Sequence, residues 1–210
     1  MITTAISIDW SIILILNSRG DKTLYTAMEV TRATREDVPG IMAVLSQNLL
    51  SNKSNKDPCI LQQSGFLIHG FTAEELIDCM NDAGSIVLVA KTDGMVSGYA
   101  IELPCTILPP WLQALKSAPQ LHSLLSEPAK VFYHRHIAKL PNYAGVGSPL
   151  LQSVISEAKA KDYRYILCQI VLAPYLNRPS ITLHEKFGFK AVLRTSGTEG
   201  FVSGCYLKQL

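Results

Sequence analysis

The residues best suited to binding chemistry are two glycines, Gly145 and Gly147, just before a run of apolar residues at helical spacing. Glycines at a helix start let backbone N–H groups approach an anion closely, and the helix dipole favours the negative charge. The same Gly-x-Gly spacing also serves as an ordinary strand-to-helix turn. The pattern therefore indicates either an anion-binding loop or a structural turn, and the neighbouring elements must distinguish them.

Proton-transfer chemistry is available from histidines in a predicted strand and in the last predicted helix. Imidazole has an unperturbed pKa of about 6.5, so His184 in that helix is a candidate proton donor. On a regular strand His134 and His136 share one face while Tyr133 and Arg135 share the other, and a β-bulge would exchange the faces. These four side chains are also typical of a polar surface or of residues that cover a helix, so no general base is assigned firmly.

The composition favours one soluble globular domain with insertions. The chain has 210 residues, of which 48% are hydrophobic and 17% charged, which suffices for one substantial core. The net charge is only +2 and the basic residues are scattered, which argues against a nucleic-acid partner. The five cysteines form no Cys-x-x-Cys pair, so neither a metal site nor a disulfide framework is expected and a reducing cytoplasm fits best.

The first 27 residues are predicted to be an appendage outside the domain. The apolar segment 5–16 contains Asp9 and is shorter than the roughly 20 residues that span a bilayer. No Lys or Arg precedes Arg19, which does not fit the basic start of a secretory signal. We therefore expect no targeting signal and no membrane partner, with the domain running over residues 28–210.

The first part of that domain predicts a strand, two helices and a hairpin. Thr34 with Asp37 is a near capping box, and Thr72 with Glu75 is a full one, so each opens a helix. Asp-Gly between two strand-like runs is a strong signal for a hairpin. The predicted strands are 29–33, 85–91 and 95–103, and the predicted helices are 38–49 and 72–80.

A proline-rich insertion, residues 104–129, separates this part from a predicted strand–helix–strand unit. Such a unit with this spacing is locally parallel and right-handed. Its strands are 131–138 and 165–172, and its helix follows the two glycines. A last helix, 179–187, stops at Gly188, which suits the left-handed position after a helix. Strands 191–195 and 201–207 complete the chain as a hairpin.

Two motifs resemble those of the GCN5-related N-acetyltransferase (GNAT) superfamily. The run Asn142-Tyr-Ala-Gly-Val-Gly-Ser148 resembles the family's phosphate-cradling motif Gln/Arg-x-x-Gly-x-Gly/Ala. Asn177, Ser180 and the run Leu183-His-Glu-Lys-Phe-Gly-Phe189 resemble the family's motif on its last helix. The order of elements also agrees, so the resemblance extends from about Met28 to the C-terminus.

This resemblance implies an α+β fold: a central mixed, mostly antiparallel and splayed sheet of about six to seven strands flanked by helices, the acyl-CoA N-acyltransferase fold. It implies direct transfer of the acetyl group of acetyl-CoA, as co-substrate, to an amine. His184 occupies the position at which the family most often has a tyrosine that protonates the thiolate. The position of the family's general base corresponds to Tyr133, or to Val131 in another register. The implied cofactor contacts are Ile137, Ala138, Lys139, Asn142, Ala144, Gly145, Val146, Gly147, Ser148, Asn177 and His184.

The sequence departs from the family motif at two places in the loop. Asn142 occupies the position usually held by Gln or Arg, which removes a charge contact to the pyrophosphate. Pro141 lies about two residues closer to the glycines than is common, so the register of residues 139–145 stays open.

The resemblance implies only that the acceptor is an amine of a small molecule or a peptide. Whether the protein forms a homodimer is left undecided by the sequence. Residues 51–71 and 104–129 are least like the common core, so we expect them to shape the acceptor site. Two alternatives to an enzyme remain at this point. One is an acyl-CoA sensor of the same fold without catalysis, and the other is an interaction domain with structural glycines.

Overall fold

The computed structural model describes residues 28–53, 57–107, 119, 121, 127–196 and 200–210. Seven strands form one sheet in the order β1-β2-β3-β4-β5-β7-β6. Within the described residues, β4 and β5 form the single parallel pair and all other neighbours are antiparallel. The strands are β1 Met28–Arg32, β2 Ile86–Thr92, β3 Met95–Pro104, β4 Val131–Lys139, β5 Tyr165–Ala173, β6 Lys190–Ser196 and β7 Val202–Gln209. This architecture confirms the predicted α+β fold with a mixed, mostly antiparallel sheet.

Five α-helices of the described residues flank the sheet. They are α1 Val38–Asn48, α2 Pro58–Ser64, α3 Ala73–Asn81, α4 Gly147–Ala160 and α5 Arg178–Lys186. One core cluster packs α1 and α3 against β2 and β3, and a second packs α4 against β2, β4 and β5. The expectation of only two helices between β1 and β2 was wrong, because Asp57 caps the short α2 by accepting a hydrogen bond from the backbone N–H of Cys59.

The predicted local signals form as expected in the first part of the chain. Thr72 Oγ1 accepts a hydrogen bond from the Glu75 N–H at 3.2 Å, and Glu75 Oε2 accepts one from the Thr72 N–H at 2.9 Å. Asp93 and Gly94 both have positive φ, 51° and 76°, as a two-residue hairpin turn requires. These turns and caps fix where α3 and the β2–β3 hairpin begin, and so confirm both predictions.

Some predicted regions lie outside the described residues. They are the proposed appendage 1–27 and, in the proline-rich insertion, residues 108–118, 120 and 122–126. Within the described part of the chain, no helix is both long enough and apolar enough to cross a membrane. In the same part, no group of three or more His, Cys, Asp or Glu side chains is placed to hold a metal ion.

The feature that shapes the centre of the sheet is the early end of the parallel ladder. β4 and β5 pair from Val131 with Tyr165 only as far as His134 with Cys168. Both strands continue beyond that pair, so they diverge and leave a gap between them. The splayed sheet implied by the family resemblance is therefore present, and the divergence begins at His134.

Candidate active site

A cavity of about 1470 Å³ occupies the gap between the diverging strands. β4 contributes residues 133–139 to its wall and β5 contributes residues 168–171. The start of α4 and one side of α5 close it on the side of the larger core cluster. It therefore joins the glycine loop, the unpaired stretch of β4 and His184 in one continuous space.

A β-bulge at Arg135 sets which way the β4 side chains point. Ile101 pairs with His136 while the next residue of β3, Glu102, pairs with His134, so Arg135 is the extra residue. His134 lies against the ring of His184 on α5, which itself packs against Phe189, whereas His136 lies against Phe71 on the opposite face. The bulge thus exchanges the faces, as sequence analysis considered, and separates two histidines that a regular strand would place together.

The glycine loop has the geometry expected of an anion-binding helix start. Gly145 has a φ of +81°, and a Cβ built on it would meet no atom within 4 Å. Gly147 begins α4, and Ser148 follows it at the cavity wall. Because the first N–H groups of a helix have no intrahelical partner, they are available to a ligand.

Other residues of that loop have different surroundings. Val146 is 1% exposed and packs into the core with Leu150. This packing anchors the loop to the core. Asn142 and Ala144 are exposed, and neither they nor Val146 belong to the described lining of the cavity. Of the predicted cofactor contacts in the loop, Gly145, Gly147 and Ser148 line the cavity.

The stretch Ile137–Lys139 of β4 lines the cavity beyond the end of the ladder with β5. Its other side stays paired with β3, Ile137 opposite Ala100 and Lys139 opposite Gly98. Backbone groups that face β5 therefore have no strand partner there. Fixed N–H dipoles of this kind can stabilise a developing oxyanion by about 3 kcal/mol.

His184 is 1% exposed and its Nδ1 lies 2.7 Å from the carbonyl oxygen of Ser180. A carbonyl only accepts, so Nδ1 carries the hydrogen and the neutral ring presents Nε2 as a bare acceptor. Nε2 has no hydrogen-bond partner among the described residues. Burial lowers the pKa of His184 to about 3, with the neighbouring His134 adding to the shift. The ring is therefore a neutral acceptor at the cavity wall.

Glu102 and His134 form a buried pair that sequence analysis did not identify. Glu102 Oε1 contacts His134 Nδ1, and the two residues are 0% and 4% exposed. Glu102 Oε2 and His134 Nε2 have no hydrogen-bond partner among the described residues. Burial raises the pKa of Glu102 well above its usual value and lowers that of His134. The sequence signal was a single carboxyl within the apolar run of β3, Tyr99 to Leu103.

Tyr133 and Asn177, two further predicted site residues, also line the cavity. Tyr133 packs in a small cluster with Leu167 and Cys205, and burial raises the pKa of its phenol far above the usual range. Asn177 caps α5 through the Ser180 N–H at 3.4 Å and donates to the Phe66 carbonyl at 2.8 Å. The Asn177 amide therefore joins the start of α5 to the loop that follows α2.

The comparisons with known proteins rest on structure, since no family profile and no curated protein matches the sequence. An N-acetyltransferase from Staphylococcus aureus superposes with a TM-score of 0.62 at 21% identity, covering 87% of this chain and 98% of that one. A GNAT-family acetyltransferase from Streptococcus pneumoniae superposes with a TM-score of 0.60 at 18% identity, covering 87% and 99%. The chain has the GNAT acetyltransferase fold.

Another solved structure relates the GNAT fold to a cofactor. A Salmonella typhimurium protein, whose structure contains its cofactor acetyl-CoA, superposes with a TM-score of 0.59 at 17% identity, covering 87% of this chain and 93% of that one. The fold implied by the GNAT resemblance is thus confirmed over most of the chain.

Proposed function

We propose that this protein transfers the acetyl group of acetyl-CoA directly to an amine. The observation that carries the proposal is that one continuous cavity is lined by three kinds of group. They are the glycine loop at the start of α4, the unpaired edge of β4, and buried imidazole nitrogens that have no hydrogen-bond partner within the described part of the chain. An acyl-CoA needs these in this order: a site for its phosphates, a site for its extended arm and thioester, and polar groups near the sulfur.

The glycine loop and the β4 edge fit such a co-substrate. Gly145 and Gly147 leave room for backbone N–H groups of α4 to meet a pyrophosphate, and Ser148 adds a hydroxyl at the same wall. The backbone of Ile137–Lys139 offers fixed dipoles to the amides of the arm and to the thioester carbonyl. Because Asn142 is exposed and outside the described lining, the loop's backbone carries the phosphate contact in this proposal.

The reaction needs a neutral amine, a stabilised oxyanion and a proton for the departing sulfur. The β4 backbone supplies the oxyanion contact. His184 supplies a hydrogen-bond acceptor through Nε2, because its Nδ1 hydrogen is held by Ser180. Tyr133 keeps its phenolic proton, so in this proposal it orients a bound group and does not act as a base. The amine loses its proton to water in the cavity.

Thiol release from acetyl-CoA over a panel of amines tests the activity. The cavity wall at α3 includes the carboxyl residues Glu75 and Asp78 of the helix and Asp82 directly after it. The panel therefore includes diamines and polyamines beside amino acids and peptides. Calorimetry with acetyl-CoA measures binding separately. Binding without thiol release on any amine would identify a sensor of this fold, and the absence of binding would contradict the proposal.

Gly147→Glu tests the phosphate site directly. The new carboxylate adds a like charge where the pyrophosphate is proposed, and even its Cβ would lie 3.2 Å from Leu183 Cδ2, so acetyl-CoA affinity is expected to fall at least 100-fold. Gln152→Glu is the matched control, because it adds the same charge at an exposed position of α4. Unchanged affinity in a folded Gly147→Glu protein would remove the cofactor assignment.

A further inference from the structure

The Glu102–His134 pair lies where β4 and β5 separate. His134 and Cys168 form the last rung of the parallel ladder, and His134 lines the cavity at that point. Glu102 sits behind the imidazole on β3, fully buried and outside the described lining of the cavity. A group bound at this point of the gap would lie against the imidazole, whose Nε2 is itself buried, with the carboxyl on the far side of the ring.

The proton count of this pair follows from its burial. A pair holding one proton has a net charge of −1, and a pair holding two protons is neutral. A buried net charge without further hydrogen bonds is costly, and Glu102 Oε2 has no partner among the described residues. The neutral pair is therefore favoured. In both of its arrangements, carboxyl with imidazole or carboxylate with imidazolium, His134 Nε2 carries a hydrogen.

His184 provides the contrast in the same wall. The two rings lie 5.1 Å apart between centroids. Ser180 holds the Nδ1 hydrogen of His184, so Nε2 of that ring is bare, whereas Nε2 of His134 is a donor. The cavity thus has a proton donor on β4 beside an acceptor on α5, which reverses the acid role that sequence analysis considered for His184.

We infer that the Glu102–His134 pair is the acid that protonates the leaving thiolate, with His134 as the catalytic residue and Glu102 as its positioning and proton-supplying partner. The inference rests on the proposed function. As the amine nitrogen bonds to the thioester carbon and the C–S bond breaks, the sulfur takes the Nε2 proton. The Glu102 proton moves to Nδ1, which leaves Glu102 ionised and Nε2 bare. The proton lost by the amine passes to water, and water restores the pair.

This mechanism requires a carboxyl behind the imidazole. A neutral imidazole alone would become an anion on giving up its Nε2 hydrogen. In the pair, Glu102 gives its proton to Nδ1, so the imidazole stays neutral. Other titratable groups near the pair are Cys168 on β5, His184 on α5 and His136 on β4. Burial raises the pKa of the Cys168 thiol and lowers those of both histidines, so these groups stay neutral near pH 7.

Nitrogen NMR of the side-chain imidazoles tests the proton count in the full chain, whether or not an acceptor has been found. Long-range nitrogen–proton spectra between pH 6 and 9, assigned by the loss of signals in His134→Gln and His184→Gln, report which ring nitrogen carries hydrogen. We expect Nε2 of His134 to be protonated and Nε2 of His184 to be bare. A bare His134 Nε2 at pH 7 would overturn the inference even if the protein is an acetyltransferase.

Steady-state kinetics test the role in the reaction. Proton transfer by one side chain is worth about 10²–10⁴-fold, and a thiolate leaves readily, so kcat should fall about 10–100-fold in His134→Gln and in Glu102→Gln. The double variant should be no slower than either single one, since both act as one unit. Acetyl-CoA Kd should stay within about threefold, and the decline of kcat at high pH, where the pair loses its proton, should disappear.

Ser97→Ala is the matched control for these variants. Ser97 is fully buried, donates to the Ala90 carbonyl at 3.1 Å and lies outside the described lining of the cavity. It should lose stability while keeping kcat and its pH profile. Additive losses in the double variant, or an alkaline limb that persists in His134→Gln, would overturn the inference while leaving the acetyl transfer intact.

Discussion

Gly98→Ala should disturb the core and the proposed phosphate site together. A Cβ at this position of β3 would lie 2.6 Å from Val146 Cγ1 and 2.8 Å from the Ala138 carbonyl oxygen. Optimal carbon–carbon separations are about 3.5–4.0 Å, so the first contact is roughly 1 Å too short. Neither neighbour moves easily, because Val146 is 1% exposed and the Ala138 oxygen belongs to the backbone of β4.

The expected cost follows from that geometry. Inserting one methyl group into a packed core costs about 1–3 kcal/mol, and a clash with backbone on one side points to the upper end. We expect the free energy of unfolding in urea to fall by about 2–3 kcal/mol. Since Val146 anchors the loop between Gly145 and Gly147, acetyl-CoA affinity should fall as well.

Gly70→Ala is the control for the methyl group itself. Its Cβ would meet Leu49 at 3.4 and 3.6 Å and Leu45 at 3.9 Å, which are ordinary contacts. This variant should be neutral or more stable by up to about 1 kcal/mol, because alanine restricts the unfolded chain. If Gly98→Ala changed the unfolding free energy by less than 0.5 kcal/mol, roughly the scatter of surface substitutions, the reasoning about this packing would be refuted.

Three further outcomes are expected. His184→Ala should raise the acetyl-CoA Kd with little loss of kcat at saturation, and a kcat that falls in this variant but recovers in His184→Tyr would assign the thiolate acid to α5. Burial lowers the pKa of His136 to about 3, so the folded state binds fewer protons than the unfolded state and stability falls as pH drops below about 6.5. Between pH 7 and 5, this histidine should lower the free energy of unfolding by about 2 kcal/mol. In urea unfolding, the free energy of the wild type should therefore fall by that amount relative to that of His136→Gln. A chain that starts at Met28, the first residue of β1, should stay soluble and bind acetyl-CoA, and loss of soluble protein would show that residues 1–27 are integral.

Local signals predicted most of the element order because their causes lie within a few residues. The capping box at Thr72, the Asp93-Gly94 turn and Gly188 with its φ of +83° each act over one turn of chain. The short α2 was not predicted, since it lies in a polar segment and packs against α5, far away in sequence.

The contact between Glu102 and His134 could not be predicted from the sequence pattern. Glu102 and His134 are 32 residues apart, and their contact requires the antiparallel register of β3 and β4. The bulge at Arg135 then decides the face of each histidine, and one extra residue in a strand has no distinct sequence signature here. The role of His184 likewise depended on the Ser180 carbonyl, whose hydrogen bond fixes the ring's tautomer.

The early end of the β4–β5 ladder gives this sheet an internal edge. An outer edge exposes unpaired backbone to any passing chain and so invites aggregation. Here the two strands remain joined at one end by four paired residues on each side, so the opening is a notch closed at its base. A slender extended molecule can enter the notch and pair with backbone, whereas a strand of another protein would have to force the two halves of the sheet apart. The unpaired peptide groups of β4 thus lie within the sheet, where they are shielded from other chains.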